Sequence, residues 1–170
     1  DLSIKRSAVA MGEYSNINNA KALVTTLFMQ AGNNIITRNK TNEPGMPLFN
    51  VILDQKLDYA VSPSQAAMNF YTQFANPSRT VYSWNRSMPS SLDAFIAGDV
   101  AMYFGYASEF QSVRQKNPNL NFDVALIPQS RTGIRATYGK VLALGIPKST
   151  PNVERAFALI RTLTSANVNA

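Results

Sequence analysis

The feature that most constrains the fold is the punctuation of the chain between Ser90 and Phe104. Ser90 or Ser91 offers a side-chain oxygen to the free amides of a helix start, Leu92, Phe95 and Ile96 then recur on an inward face, and Gly98 ends the turn. Two residues later, 100–104 is an apolar run of strand length. Helix, glycine, buried strand is the local signature of alternating layers, so an α/β layered fold is expected.

The rest of the chain reads the same way. Residues 4–11 form a mostly buried strand ended by Gly12, and a polar loop follows. That loop offers Asn16 or Asn18 as the cap of a helix whose Ala20, Leu23, Val24, Leu27 and Phe28 share one face, stopping at Gly32. Residues 39–47 read as a loop, and 48–53 with 57–61 as a short hairpin. Ser62, Pro63 and Gln65 start a helix that runs to about Phe74, with Ala66, Ala67, Phe70, Tyr71 and Phe74 as its core face. A helix is expected over 109–116, strands over 122–127 and 141–146, and a loop over 130–136 between them. Thr150 caps a last helix with Pro151 at its first position, a buried face of Val153, Phe157 and Ile160, and a chain end at 167–170. No internal repeat or low-complexity segment interrupts this order.

With 45% hydrophobic and 15% charged residues among 170, the chain has the profile of a folded domain with one sizeable core. No stretch approaches the roughly 20 apolar residues of a membrane-spanning helix, and no basic-then-apolar leader opens the sequence. There is no Cys and no His. Disulfides, thiolate metal sites, His-containing zinc patterns and the Ser-His and Cys-His nucleophile pairs are therefore excluded. Sixteen Lys and Arg against ten Asp and Glu give a formal charge of +6. The basic residues are scattered in pairs (Lys5 with Arg6, Arg38 with Lys40, Arg114 with Lys116, Arg131 with Arg135) and build no phosphate-binding stripe, so no nucleic-acid partner is expected.

Neither a dinucleotide-type glycine fingerprint nor a P-loop is present, and no cofactor is expected. Asp93, Asp99, Glu109 and Asp123 lie near element ends and are the candidates for paired-carboxylate catalysis, although Asp93 and Asp99 are more simply helix-end and turn residues. The aromatics say more. Tyr14, Trp84, Tyr106 and Tyr138 sit in or beside loops, each flanked by Gly, Ser or Asn. Rings that pack on flat C–H faces, beside amides and carboxylates that bond a rim of hydroxyls, are what a sugar requires. Trp84 beside Asn85 supplies both groups; the alternative is a core indole whose N–H meets an internal acceptor.

The order of the motifs is more specific than their types. AMNFYTQFANP, YSWN, SSLDAFIAGDVAMYFGYASEF and NPNLNFDVALIPQ follow one another, and YGKVLALGIPKSTPNVERAFALIRTLTS comes after them. This series resembles the maltose-binding-protein-like family of extracellular solute-binding proteins of ABC importers, with its helix, Trp loop, AF-x-x-G-x-x-AM element and P-x-x-x-F-x-V-x-x-x-P strand. The resemblance implies a periplasmic-binding-protein-like (type II) α/β fold whose two lobes clamp a ligand, and a non-catalytic substrate-binding subunit outside the cytoplasm, periplasmic or anchored as a lipoprotein. Its ligand would be a carbohydrate of oligosaccharide size and its partner a transmembrane permease. Residues 1–121 would belong to the second lobe and 122–170 to the segment returning to the first, an incomplete clamp whose exposed surface invites self-association.

Carried over by position, Trp84 matches the Trp loop, and the loop of Tyr106, Ser108 and Glu109 matches one that bears ring-stacking groups in the family. Tyr138 and Gly139 lie near the crossover between lobes, while Tyr14, Asn16 and Asn18 follow a second-lobe strand. The expected ligand-binding set is thus Trp84, Asn85, Tyr106, Ser108, Glu109, Tyr14, Asn16, Tyr138 and Gly139. Rival readings are another small solute (a polyol, a peptide, or a glycerol phosphate met by Arg86 or Arg131), a glycoside hydrolase using Asp99 or Glu109 as general acid, and an assembly module.

Overall fold

A computed structural model describes residues 4–32, 34–39, 47–54, 60–129, 134–141 and 143–165. The chain divides into two compact units, Asp1–Tyr138 and Gly139–Ala170.

The first unit is mixed α/β. Its centre is a parallel pair, β1 (Ser7–Val9) with β4 (Val100–Met102), in the register Ser7 to Val100 and Val9 to Met102. Each strand leads into a helix, β1 into α1 (Ala20–Gln30) and β4 into α4 (Phe110–Lys116) through the 3-10 turn Ala107–Glu109. A second sheet pairs β2 (Ile36–Arg38) antiparallel with β3 (Phe49–Val51). The helix α2 (Pro63–Thr72) continues into a 3-10 turn, Gln73–Ala75, and α3 (Ser91–Ala97) precedes β4.

Local chemistry accounts for the helix ends. The Ser62 hydroxyl accepts from the Gln65 amide at 3.3 Å, with Pro63 opening α2. The Ser90 hydroxyl accepts from the Asp93 amide at 3.2 Å, and α3 ends on Gly98 at φ 82°, the left-handed conformation that glycine adopts without strain. Gly12, at φ 101°, ends the β1 run for a second reason: a Cβ there would lie 2.5 Å from the Ala75 amide nitrogen. The turn after α2 therefore packs directly on the backbone leaving β1.

The core gathers Val9, Ala10, Met11, Ile17, Ala20 and Leu23 with Tyr71, Trp84, Ala94 and Val100. Trp84 is the largest fully buried side chain. Burying an indole contributes on the order of 4 kcal/mol, an upper bound, since unfolded chains already hide part of that surface. Ser7 and Ser83 are buried in the same layer with their hydroxyls satisfied, Ser7 donating to the Ser83 carbonyl at 2.6 Å and Ser83 to the Val9 carbonyl at 3.0 Å.

Several expectations need correction. Of the expected strand 48–53, Phe49–Val51 forms β3 and pairs with β2, and residues 57–59 of the expected partner 57–61 lie outside the described residues. Much of the expected loops 39–47 and 130–136, and the chain end 167–170, also lie outside them. Asn18 does not cap α1; Asn19 is at that position, without a side-chain cap, and the Asn18 Oδ1 instead accepts from the Leu92 amide at the start of α3. The buried stripe of α2 runs through Ser64, Ala67 and Tyr71, which turns Ala66 and Phe70 outward. On α3 the fully buried positions are Ser91 and Ala94, with Leu92, Phe95 and Ile96 half-buried. Residues 122–127 and the described part of 141–146 are not strands: among the described residues they have no ladder partner, and Leu126 is 95% exposed.

In the second unit, α5 spans Val153–Leu163. Its cap position is Asn152, not Thr150, because the helix starts at Val153, and the Thr150 amide closes a preceding turn on the Pro147 carbonyl at 3.1 Å. The face expected to be buried is not: Val153 and Phe157 are exposed and Ile160 only half-buried.

Candidate functional site

Parallel strands leave a sheet at one edge, so the loops after β1 and β4 share the carboxyl edge of the pair. In open α/β sheets that edge is where ligands are held. The two loops meet through Asn19. Its side-chain amide donates to the Phe104 carbonyl at 3.1 Å and to the Tyr103 hydroxyl at 3.0 Å, and it lies 3.3 and 3.4 Å from the Glu109 carboxylate oxygens.

Glu109 gathers the donors of its own loop as well. Its Oε2 accepts from the Tyr103 hydroxyl at 3.0 Å and from the Tyr106 amide at 3.2 Å. Gly105 makes this possible: a Cβ there would lie 2.5 Å from the same Oε2 and 2.7 Å from the Tyr103 ring. Burial, and then the charge of Glu109 beside it, push the Tyr103 phenol well above the ordinary tyrosine range. The Tyr106 phenol is raised too, by desolvation first and then by the neighbouring Tyr138 and Glu109, which puts Tyr138 within electrostatic reach of Tyr106.

Tyr138 arrives on a loop that α1 holds. The Thr26 hydroxyl accepts from the Tyr138 amide at 3.0 Å, and the Gln30 side chain donates to the carbonyls of Pro128 and Ala136 at 3.0 and 3.1 Å. Both tyrosines are half-buried.

A second cluster supports the β1 loop from behind. The Trp84 indole N–H donates to the Asn16 Oδ1 at 3.1 Å, while the Asn16 amide donates to the carbonyls of Asn85 and Met88 at 2.8 and 3.0 Å. Trp84 has no exposed surface, so its ring meets no solute arriving from solvent in this arrangement; of the two sequence readings, the core indole is the observed one. The Asn85 amide donates to the Tyr82 hydroxyl at 2.9 Å, and its oxygen accepts from the Ser87 amide and hydroxyl. Arg86 donates to Glu13 at 2.9 Å, a bridge that ties this loop to Tyr14's neighbour. The Tyr14 ring is 68% exposed.

The expected site residues thus fall into two groups. Tyr106 and Glu109 lie at the carboxyl edge with Ser108 exposed on the same loop, and Tyr138, held by α1, is near enough for its charge to act on the Tyr106 phenol. Asn16, Trp84 and Asn85 form a second, internally bonded group. Gly139 is exposed at the start of the second unit. Sequence reasoning missed Asn19, Tyr103 and Gly105. The available signal was topological, since residues after two paired parallel strands must be neighbours.

Of the carboxylates weighed for catalysis, Asp93 accepts from its own cap serine, Glu109 is engaged as above, and the Asp123 side chain accepts from the next amide. Among the described residues no group of acidic side chains is arranged to hold a metal ion. Arg131 lies outside the described residues.

The family profile of the bacterial extracellular solute-binding proteins matches residues 12–170. No individual curated protein and no solved structure matched the chain. Proteins of this family act outside the cytoplasm, deliver ligand to ABC permeases and are typically not enzymes. Among the described residues no helix is long and apolar enough to cross a membrane. The match takes in both loops of the carboxyl edge and extends through α5, and on that span the chain belongs to the bacterial extracellular solute-binding protein family.

Proposed function

We propose that the solute is a carbohydrate of oligosaccharide size, bound between the lobes of a type II clamp and handed to the permease of an ABC importer. In this reading residues 1–121 contribute one lobe and 122–170 the segment returning to the other. The observation that carries the proposal is the loop after β4 at the carboxyl edge, where the half-buried Tyr106 has the exposed Ser108 on the same loop and Tyr138 within electrostatic reach. Half-buried phenol rings give a sugar an apolar face to lie on, and their hydroxyls meet its rim. Tyr14 supplies a further exposed ring after β1. Asn16, Trp84 and Asn85 serve the site from behind, by fixing the loop that carries Tyr14.

Of the two arginines the phosphorylated-solute reading would use, Arg86 is engaged through its Nε with Glu13 and Arg131 lies outside the described residues. For the hydrolase reading, the groups found around Glu109 among the described residues are Asn19, Tyr103 and a backbone amide, not a second carboxylate.

Calorimetric titration of the protein with a panel of maltodextrins and other oligosaccharides, with a polyol, a glycerol phosphate and short peptides as further arms, tests the proposal. Saturable heat with an oligosaccharide is expected, and Tyr106→Ala weakens it about tenfold or more, which corresponds to about 1.4 kcal/mol. Saturation only by a non-sugar arm, or turnover of the sugar, would overturn it.

A further inference from the structure

We infer that Glu109 is the positioning residue of this site, a latch that fixes the loop bearing Tyr106, and not a hydroxyl partner of the solute. The inference rests on the reading that the carboxyl edge holds the solute. Two observations carry it independently.

The first is how fully the carboxylate is engaged. Its Oε2 accepts from the Tyr103 hydroxyl and the Tyr106 amide, and the Asn19 amide lies within 3.4 Å of both oxygens. These donors come from the start of α1 and from two points of the loop after β4, so one side chain ties together both connections that leave the parallel pair. Two donors of the protein itself fill the acceptor positions of Oε2, and Oε1 faces the Asn19 amide, so the carboxylate is turned toward its own loops. The Tyr106 amide is the donor that matters for function, because fixing it fixes the backbone from which the ring projects.

The second is Gly105. The space its missing side chain leaves is taken by the Glu109 carboxylate, 2.5 Å from where a Cβ would stand. Loop and carboxylate are therefore fitted to each other, and disturbing either one should release Tyr106 in the same way.

The test is tyrosine-ring carbon NMR on the protein without ligand, with Tyr106 and Tyr103 assigned from Tyr106→Phe and Tyr103→Phe. Folding is followed in each sample by the Trp84 indole N–H resonance, which reports the bond to Asn16. In Glu109→Ala and in Gly105→Ala the Tyr106 ring signals are expected to shift in the same direction, toward free tyrosine, while the Trp84 signal stays in place. The Tyr103 phenol, held high in the wild type partly by Glu109, titrates at lower pH in Glu109→Ala. If that variant fails to fold, Glu109→Gln, which keeps an acceptor and loses the charge, is expected to lower the Tyr103 titration and to move Tyr106 by a smaller amount. Tyr106 signals at wild-type positions in a folded Glu109→Ala or Gly105→Ala variant would overturn the inference. Because this measurement needs no ligand, its failure is separate from failure of the solute reading. That second failure shows as wild-type protein giving no saturable heat with any oligosaccharide.

Discussion

At the scale of single residues, Asn16 joins an indole and two carbonyls with one side chain. It accepts the N–H of the buried Trp84 and donates to two carbonyls of the loop that follows. Replacing it by Ala leaves an indole donor and two carbonyls without their partner, and each orphaned group costs about 1–3 kcal/mol. Asn16→Ala is therefore expected to lose about 3 kcal/mol of stability in urea unfolding, with Trp84 emission shifted to the red in the folded baseline. A loss below about 0.5 kcal/mol would mean that water replaces the amide and that the cluster is not what holds the loop.

Tyr71 makes a second residue-scale prediction, in alkaline solution. Its buried hydroxyl donates to the Glu13 carbonyl at 2.6 Å, and its phenol is pushed up from 10.0 to about 12. Burial is the main cause, the charge of Glu13 adds to it, and a backbone hydrogen bond at Gly12 opposes it. Between those two values the unfolded chain gives up this proton while the folded chain keeps it, so stability falls as pH rises. The contribution is whole below pH 10 and is lost by about pH 12, and Tyr103 acts in the same direction. Urea midpoints taken across this range should decline, and Tyr71→Phe should decline less steeply; an unchanged slope in Tyr71→Phe would refute the assignment.

At the scale of elements, α3 shows how a short helix is held. Seven residues are too few to be stable alone, so its first amides depend on what they meet. Ser90 satisfies the Asp93 amide, the Asn16 carbonyl satisfies that of Ser91, and the Asn18 side chain satisfies that of Leu92 at 3.0 Å. The β1 loop is thereby part of the cap of a helix more than seventy residues away in sequence. Ser90→Ala and Asn18→Ala should each cost about 1 kcal/mol. Hydrogen exchange separates them: Asn18→Ala should deprotect the Leu92 amide in particular, and unchanged protection there would show that Asn18 is not its partner.

The same elements show what was legible in the sequence. Ser62, Ser90 and Gly98 marked their helix ends because capping is local chemistry, read from residues within one turn. Asn18 is legible as a capping residue, but the helix it caps is α3 and not the adjacent α1, since nothing local says which helix a loop will meet. Within 48–53, Phe49–Val51 is a strand, and the partner it has among the described residues is upstream at Ile36–Arg38, a pairing that nothing local announces. Residues 122–127 carry a strand's composition, yet a strand exists only where a ladder partner stands beside it. In the site, Tyr106 and Tyr138 were legible as loop aromatics. Asn19 and Tyr103 were not, because their meaning depends on the parallel register of β1 with β4.

At the scale of the whole molecule, the apolar surface left uncovered has a consequence in solution. Val153 and Phe157 on one face of α5 are each more than half exposed, Ile160 on the same face is half-buried, and that helix has no buried residue. Val124 and Leu126 in the first unit are exposed as well. Isolated apolar side chains are ordinary at a protein surface, but a helix face with several of them drives association, at roughly 25 cal/mol for each Å² withdrawn from water. The formal charge of +6 opposes this, so association should strengthen as salt screens the repulsion. Sedimentation velocity over about a hundredfold range of concentration is expected to show a weight-average coefficient that rises with concentration, and rises further at high salt. Phe157→Glu removes apolar surface and places a charge at the centre of the α5 face, and it should shift association to higher concentration. Leu126→Lys tests the first unit in the same way. If Phe157→Glu restores a concentration-independent monomer and Leu126→Lys does not, α5 is the associating surface; the reverse result assigns it to 122–127. A wild-type coefficient constant across the whole range would mean that exposure on these segments is too dispersed to overcome the charge.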